Sequence, residues 1–268
     1  MVYLKTDEQI DIIRENGVIL GKTHAEVAKA IKPGVSTREL DKIAYEFIKD
    51  NSSEPSFLNY KVGSFKYPAS LCISVNDVVV HGIPNDYQLK DGDIISIDGG
   101  VYKNGFHADS AYTYAVGNVA EETLRLLKTT KESLYLGIEQ AVFGKRLGDI
   151  GFGVQSYCEK AGFTIVRELV GHGVGKSLHE GPEVANYGKR GDGAKLKEGM
   201  VIAIEPMVNQ GKKAIHQDND HWTIRTQDRK PSAHFEHTVA VRKEKADILT
   251  TFKFIEEVLA TSEYLVNI

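Results

Sequence analysis

Four carboxylates and three imidazoles stand out in this 268-residue chain because two stretches present them in the same frame. Leu89-Lys90-Asp91-Gly92-Asp93-Ile94-Ile95-Ser96-Ile97-Asp98 is echoed 107 positions later by Leu196-Lys197-Glu198-Gly199-Met200-Val201-Ile202-Ala203-Ile204-Glu205. Each copy reads as a charged turn at a glycine, four residues apolar or small enough for a buried strand, and one carboxylate at the far end. A second acid then follows near the end of the next strand-like run: Asp109, 11 residues after Asp98, and Glu236, 31 residues after Glu205. A histidine beside glycine precedes each copy, His81 in His81-Gly82-Ile83-Pro84 and His172 in Gly171-His172-Gly173-Val174-Gly175, with His179 shortly after. A lone buried carboxylate costs several kcal/mol or takes up a proton, so acids closing apolar strands call for cations. Carboxylates can bridge two ions ~3.5–4 Å apart where imidazoles cannot. The oxygen-rich donor set favours a borderline-to-hard divalent ion such as manganese, iron, cobalt or zinc, and affinity does not choose among them. Such a centre acidifies a water and polarises a carbonyl, which is hydrolysis without a covalent intermediate. No Gly-X-Ser-X-Gly elbow occurs and neither cysteine sits in a nucleophile motif, so serine or cysteine chemistry has little support.

The elements that must position these groups are legible in outline. Thr6 to Gln9 fits a capping box, and the pattern Ile10, Ile13, Gly17, Leu20, Thr23 to Val27 predicts a long first helix running up to Pro33-Gly34. Ser36 and Glu39 form a second box, before apolar residues at Leu40, Ile43, Ala44, Phe47 and Ile48, for a helix ending near Asn51. Leu71–Val75 and Val78–Val80 read as short strands about Asn76-Asp77. The second half restarts with helix signals over Glu121–Val142 and around Ile150, Val154, Tyr157, Cys158 and Ala161. The helices recur 110 positions apart and the strands 107, so the duplication covers most of each half. The expected fold class is α+β, with helices on one face of a largely antiparallel sheet and a cleft on the acidic side. No linker divides the chain, so residues 1–268 are expected to form one catalytic domain of two related halves, roughly 1–118 and 119–250, plus a short C-terminal helix.

Composition bounds the setting. With 41% hydrophobic residues the chain can bury a substantial core without staples, and Cys72 and Cys158 match no zinc or redox spacing, as expected of free thiols in a reducing compartment. A formal charge of −4 gives no broad attraction to nucleic acid. No run approaches the ~20 apolar residues of a spanning helix, and the N-terminus lacks a basic head with an apolar stretch, so the cytoplasm is expected and no membrane partner.

Cys72 to Pro84 (CISVNDVVVHGIP), Gly171 to Pro182 (GHGVGKSLHEGP), Ile204 to Val208 (IEPMV) and Trp222 to Thr238 resemble the type I methionine aminopeptidases, over nearly the whole chain. The resemblance implies a duplicated "pita-bread" fold, two divalent ions per chain, and removal of initiator methionine from nascent polypeptides with a small second residue, by a monomer acting at the ribosome. It implies a ligand set of Asp98, Asp109, His172, Glu205 and Glu236. Asp109 and Glu236 would bridge, Asp98 would complete one ion, and His172 with Glu205 the other. Glu205 would also act as general base. His179 would contact the scissile amide and stabilise its developing charge, and His81 would assist substrate binding or proton transfer. Tyr67, Cys72, Leu178 and Trp222 would line the methionine pocket, although Cys72 alone reads equally as a core thiol, and simple packing is the lesser reading of Trp222.

Four places depart from the family pattern. Gly99-Gly100 replaces a hydroxyl-bearing residue and resembles the Asp-X-Gly of Xaa-Pro peptidases, and His234 replaces a glutamine two before Glu236, on its side of a strand. Ser64 and Leu178 replace aromatics, which leaves a pocket either wider or closed by Phe65. His24, His216 and His221 read as solvent residues, and His107 and His237 as supports beside ligands.

Overall fold

Both expected capping boxes form. In the computed structural model, which describes residues 2–268, the Thr6 hydroxyl accepts from Gln9 N while the Gln9 side chain accepts from Thr6 N, and helix α1 runs Asp7–Ala30. Ser36 and Glu39 repeat the arrangement at the start of α2, Thr37–Asp50. In the second half α3 spans Glu121–Ile138 and α4 Leu147–Lys160. Helix α3 stops four residues short of the expected Val142, because Val142 is drawn into a bridge with Arg242 and Phe143 N donates to Arg242 O. α1 packs on α2 and α3 on α4, so each half carries one helix pair. The short C-terminal helix α5, Lys253–Leu259, lies against α1. Gly17 lets the segment leading into α5 lie close on α1, since a Cβ there would sit 2.2 Å from Leu249 O.

The strands join the halves. β1 (Leu71–Val75) pairs with β3 (Ile94–Lys103), and β2 (Val78–Val80) follows β1 through Asn76, whose φ of 53° suits an asparagine turn. β3 pairs along its whole length with β4 (Phe106–Val116). From the second half come β5 (Gly171–Gly173), β6 (Glu180–Val184), β7 (Val201–Ile204), β8 (Met207–Asn209), β9 (Ser232–His234) and β10 (Glu236–Ala240). The ten-stranded sheet reads β3-β4-β10-β7-β5-β6 along its centre, with each of these neighbouring pairs antiparallel. The halves therefore meet at the β4–β10 seam, β1–β3–β4 on one side and β5–β7–β10 on the other. Ile97, Tyr112, Leu126, Leu134, Ile150 and Ile204 belong to the principal core, which holds the helix pairs to the sheet and leaves its other side to the acids. This is the pita-bread arrangement.

β3 does not end at Asp98. It continues through Gly99 and Gly100 to Lys103, and both glycines are closely packed: a Cβ on Gly99 would meet Leu71 Cδ2 at 2.7 Å, and one on Gly100 would meet Ser56 Cβ at 2.7 Å. The two glycines are explained by packing alone. Among the described residues no helix is long and apolar enough to cross a membrane.

Candidate active site

Register brings the acids together. Asp98 in β3 lies opposite Ala111 in β4, and Ala111 on its other side lies opposite Glu236 in β10. Directly paired residues point to one face, and so do residues two apart in a strand, so Asp98, Asp109 and Glu236 all project from the side of Ala111. Ile204 pairs with His237, which sets Glu205, just past the end of β7, beside Glu236. Ala111 is fully buried and small, and the carboxylates converge over it. Thr238 ties the seam by accepting from Asp109 N at 3.2 Å and donating to Asp109 O at 2.7 Å.

His172, the middle residue of β5, faces this row. Its Nε2 is 3.8 Å from Asp109 Oδ2 and 3.5 Å from Glu205 Oε1. Nδ1 lies 3.0 Å from Gly173 O, a bond that places the proton on Nδ1 and leaves the Nε2 lone pair facing the acids. Ligand atoms of Asp109, His172 and Glu236 all lie within 4.8 Å of one another, close enough to share an ion. Asp98 Oδ1, Asp109 Oδ1 and Glu236 Oε1 are buried with no hydrogen-bond partner. Oxygens in that state are what a bound cation satisfies, so the donor set fits a divalent metal.

The electrostatics agree. Burial raises the pKa of Asp98, Glu205 and Glu236 well above the carboxylate range, and their neighbouring acids add to it. Burial takes Asp109 to about 7, against the opposing Ser110 backbone hydrogen bond. Without a cation this cluster holds protons. Burial lowers His81 to about 4, and lowers His172 despite backbone hydrogen bonds that oppose the shift. His179 is lowered too, first because the cleft desolvates it and then because His172, His81 and His107 surround it. The imidazoles are neutral, free to ligate or donate. His179 sits at the open rim, its ring centroid 4.1 Å from that of His172 and 5.0 Å from that of Tyr60. His81 holds a left-handed φ of 59°, and Gly82 after it packs where a Cβ would be 2.2 Å from Ile73 O. That sharp turn presents the His81 ring to the same cavity.

The cavity, about 270 Å³, joins the acids to an apolar wall. Tyr67, Cys72, Leu178 and Trp222, the four side chains expected there, are buried in one cluster with Phe57. Trp222 meets Tyr67 edge-on at 5.2 Å, and Tyr67 OH lies within 3.0 Å of Leu71 O and 2.8 Å of Gly82 O. Cys72 lies opposite Asp98 in the sheet, and burial, then the Asp98 charge, pushes its thiol well up, so it is an inert neutral group. Phe57, Tyr60, Val62 and Met207 also line the cavity, and the sequence had not marked them.

Three expectations fail. Ser64 is not part of the wall: Lys61–Val62 and Phe65–Lys66 form a hairpin that lifts Ser64 into solvent, and Tyr60 before it supplies the aromatic. Phe65 does not close the pocket either, because it stacks outside on His221 with centroids 4.0 Å apart. His24 is not a solvent residue. It is buried on α1 with Nε2 3.0 Å from Ser110 O, and burial lowers it to about 4. His237 and His107 adjoin ligands in sequence but bond elsewhere: His237, on the opposite face of β10 from Glu236, has Nδ1 2.7 Å from Thr250 Oγ1 and stacks on Phe252, and His107 Nδ1 lies 2.9 Å from Ser56 Oγ.

A sequence profile described as "Metallopeptidase family M24" matches residues 11–243. The chain is 50% identical over 253 residues to the methionine aminopeptidase of Clostridium perfringens, covering 94% of this chain and 100% of that one. It is 50% identical over 250 residues to methionine aminopeptidase 1 of Bacillus subtilis, covering 93% and 99%. The crystal structure of methionine aminopeptidase from Rickettsia prowazekii superposes with a TM-score of 0.91 at 40% identity, covering 94% of this chain and 100% of that one.

Proposed function

Because this chain belongs to metallopeptidase family M24, we infer its reaction from that membership together with its site: it is a metal-dependent hydrolase that removes N-terminal methionine from nascent proteins and peptides with a small second residue. The observation that carries this reading is the row of buried carboxylates with orphaned oxygens, opening onto an apolar cavity of side-chain size. When bound, divalent ions supply Lewis acidity that lowers the pKa of a water and polarises a carbonyl. We assign Asp98, Asp109, His172, Glu205 and Glu236 as the residues that would hold two divalent ions of cobalt, manganese, iron or zinc. Support comes from the three-residue cluster that can share one ion and from the neighbouring acids around it.

The chain's own groups do the rest. Tyr67, Cys72, Leu178 and Trp222 enclose the methionine side chain, which exchanges water for an apolar wall and fixes the first residue of the peptide. Glu205 accepts the proton of the attacking water, a role open to it once positive charge replaces the proton that burial otherwise holds there. His179, neutral and at the rim beside His172, donates a hydrogen bond to the oxygen of the scissile amide as charge develops. His81, neutral and facing the same cavity, holds the substrate or relays a proton.

The sheet shared across the seam supports a single catalytic domain over residues 1–268 in two related halves, 1–118 and 119–250, plus α5. The same reading takes nascent chains at the ribosome as the substrate source, the cytoplasm as the compartment and a monomer as the working form. Release from Met-Ala-Ser should exceed release from Leu-Ala-Ser and from an Ala-Pro peptide; preference for either of the latter would overturn the specificity. An Xaa-Pro specificity had only Gly99-Gly100 in its favour, and those glycines are accounted for by Leu71 and Ser56.

A further inference from the structure

His234 carries a buried nitrogen with nothing to bond. The residue is 2% exposed, its Nε2 has no hydrogen-bond partner, and that atom lies 3.8 Å from Glu205 Oε2. An unpaired buried donor or acceptor forfeits its hydration with nothing in return, so a well-anchored one points to a partner that another state of the site supplies. The anchoring is specific. Thr113 Oγ1 accepts from His234 N at 3.0 Å and donates to His234 O at 2.7 Å, and Ser96 Oγ lies 2.8 Å from the same hydroxyl. Through Met207, opposite His234 in the sheet, β9 is also locked to the strand that follows Glu205.

Glu205 needs such a neighbour. The last torsion of a glutamate is broad and two-fold, so a carboxylate turns freely unless both oxygens are claimed. Oε1 has His172 Nε2 at 3.5 Å, and Oε2 has His234 Nε2 at 3.8 Å. The first nitrogen is in the ligand set; the second stands outside it. We propose that His234 is a positioning residue: its Nε2–H closes on Glu205 Oε2 when the site is loaded, which orients Oε1 toward the ion shared with His172. The neighbouring carboxylate would then be held as outer partners hold metal ligands elsewhere, where their loss costs about 10–100-fold in affinity.

The inference rests on the metal-centre reading, and its test separates the two. The full chain would be stripped, then titrated with zinc or cobalt in competition with a chelator, as wild type, His234→Gln and His234→Ala. Glutamine keeps a donor and alanine does not, so alanine should weaken binding by about tenfold or more while glutamine retains most of it. Circular dichroism and thermal melting of the metal-free forms would check that each variant folds. The wild type alone gives a second readout: nitrogen NMR of histidine-labelled, zinc-loaded protein should find His234 Nε2 protonated. Alanine binding as tightly as wild type, or a metal-bound His234 nitrogen without its proton, would overturn the proposal. A wild type that takes up no divalent ion would instead overturn the metal centre itself.

Discussion

Replacing a single carboxylate of the row separates ligand from substrate contact. Asp109→Asn and Glu236→Gln remove charge from groups whose oxygens are buried and unpartnered, so metal affinity should fall by at least the ~10–100-fold typical of losing an outer partner. His179→Ala touches the rim, so it should leave metal bound and lower kcat by about 10²–10³-fold, as loss of a donor to a developing oxyanion does. Elemental analysis beside peptide kinetics measures both, and equal metal loss in all three variants would contradict the division of roles. At this scale the acids were readable because a carboxylate after an apolar strand is chemically conspicuous. Tyr60 and Val62 were not, because an aromatic or a valine in a polar stretch carries no such mark. His24 misled for the opposite reason: a polar residue on a helix suggests water, whereas its bond to Ser110 O pairs it inside the α1 interface.

Helices α1 and α2 were legible to within a residue or two at their starts because both capping boxes write hydrogen-bonding side chains into the sequence. Ser36→Ala removes one of the two reciprocal bonds of the second box and should destabilise the protein by about 1 kcal/mol, read as a shift in the urea midpoint at unchanged slope, with activity retained. An unaltered midpoint would mean that tertiary packing of α2, not its cap, fixes the helix start. Elements set by distant partners were less readable. The end of α3 depends on Arg242, roughly a hundred residues away in sequence, and the continuation of β3 past Asp98 follows its ladder with β4 as far as Lys103. The hairpin at residues 61–66 displaced Ser64 from the wall because local spacing cannot reveal where a two-residue turn lifts the chain.

Over the whole molecule, the buried acids couple stability to pH. In the metal-free protein Asp109 titrates at about 7 instead of 3.8, so between those values the folded state holds a proton that the unfolded chain has released. Stability must then fall as pH rises across that window, and the raised Asp98, Glu205 and Glu236 act in the same direction. A divalent ion replaces those protons, so the gain in melting temperature on adding metal should be larger near pH 7 than near pH 5. Calorimetry with and without chelator tests this; a gain independent of pH, or one that Asp109→Asn leaves unchanged, would refute the linkage. The seam between β4 and β10 has one more consequence. Asp98 and Asp109 come from one side of it, His172, Glu205 and Glu236 from the other, so neither side owns a complete set of donors. On the proposed ligand assignment, ion uptake would report that the chain has closed upon itself: a fragment ending before β5 should stay metal-poor, and a bound cation would act as a clasp across the seam.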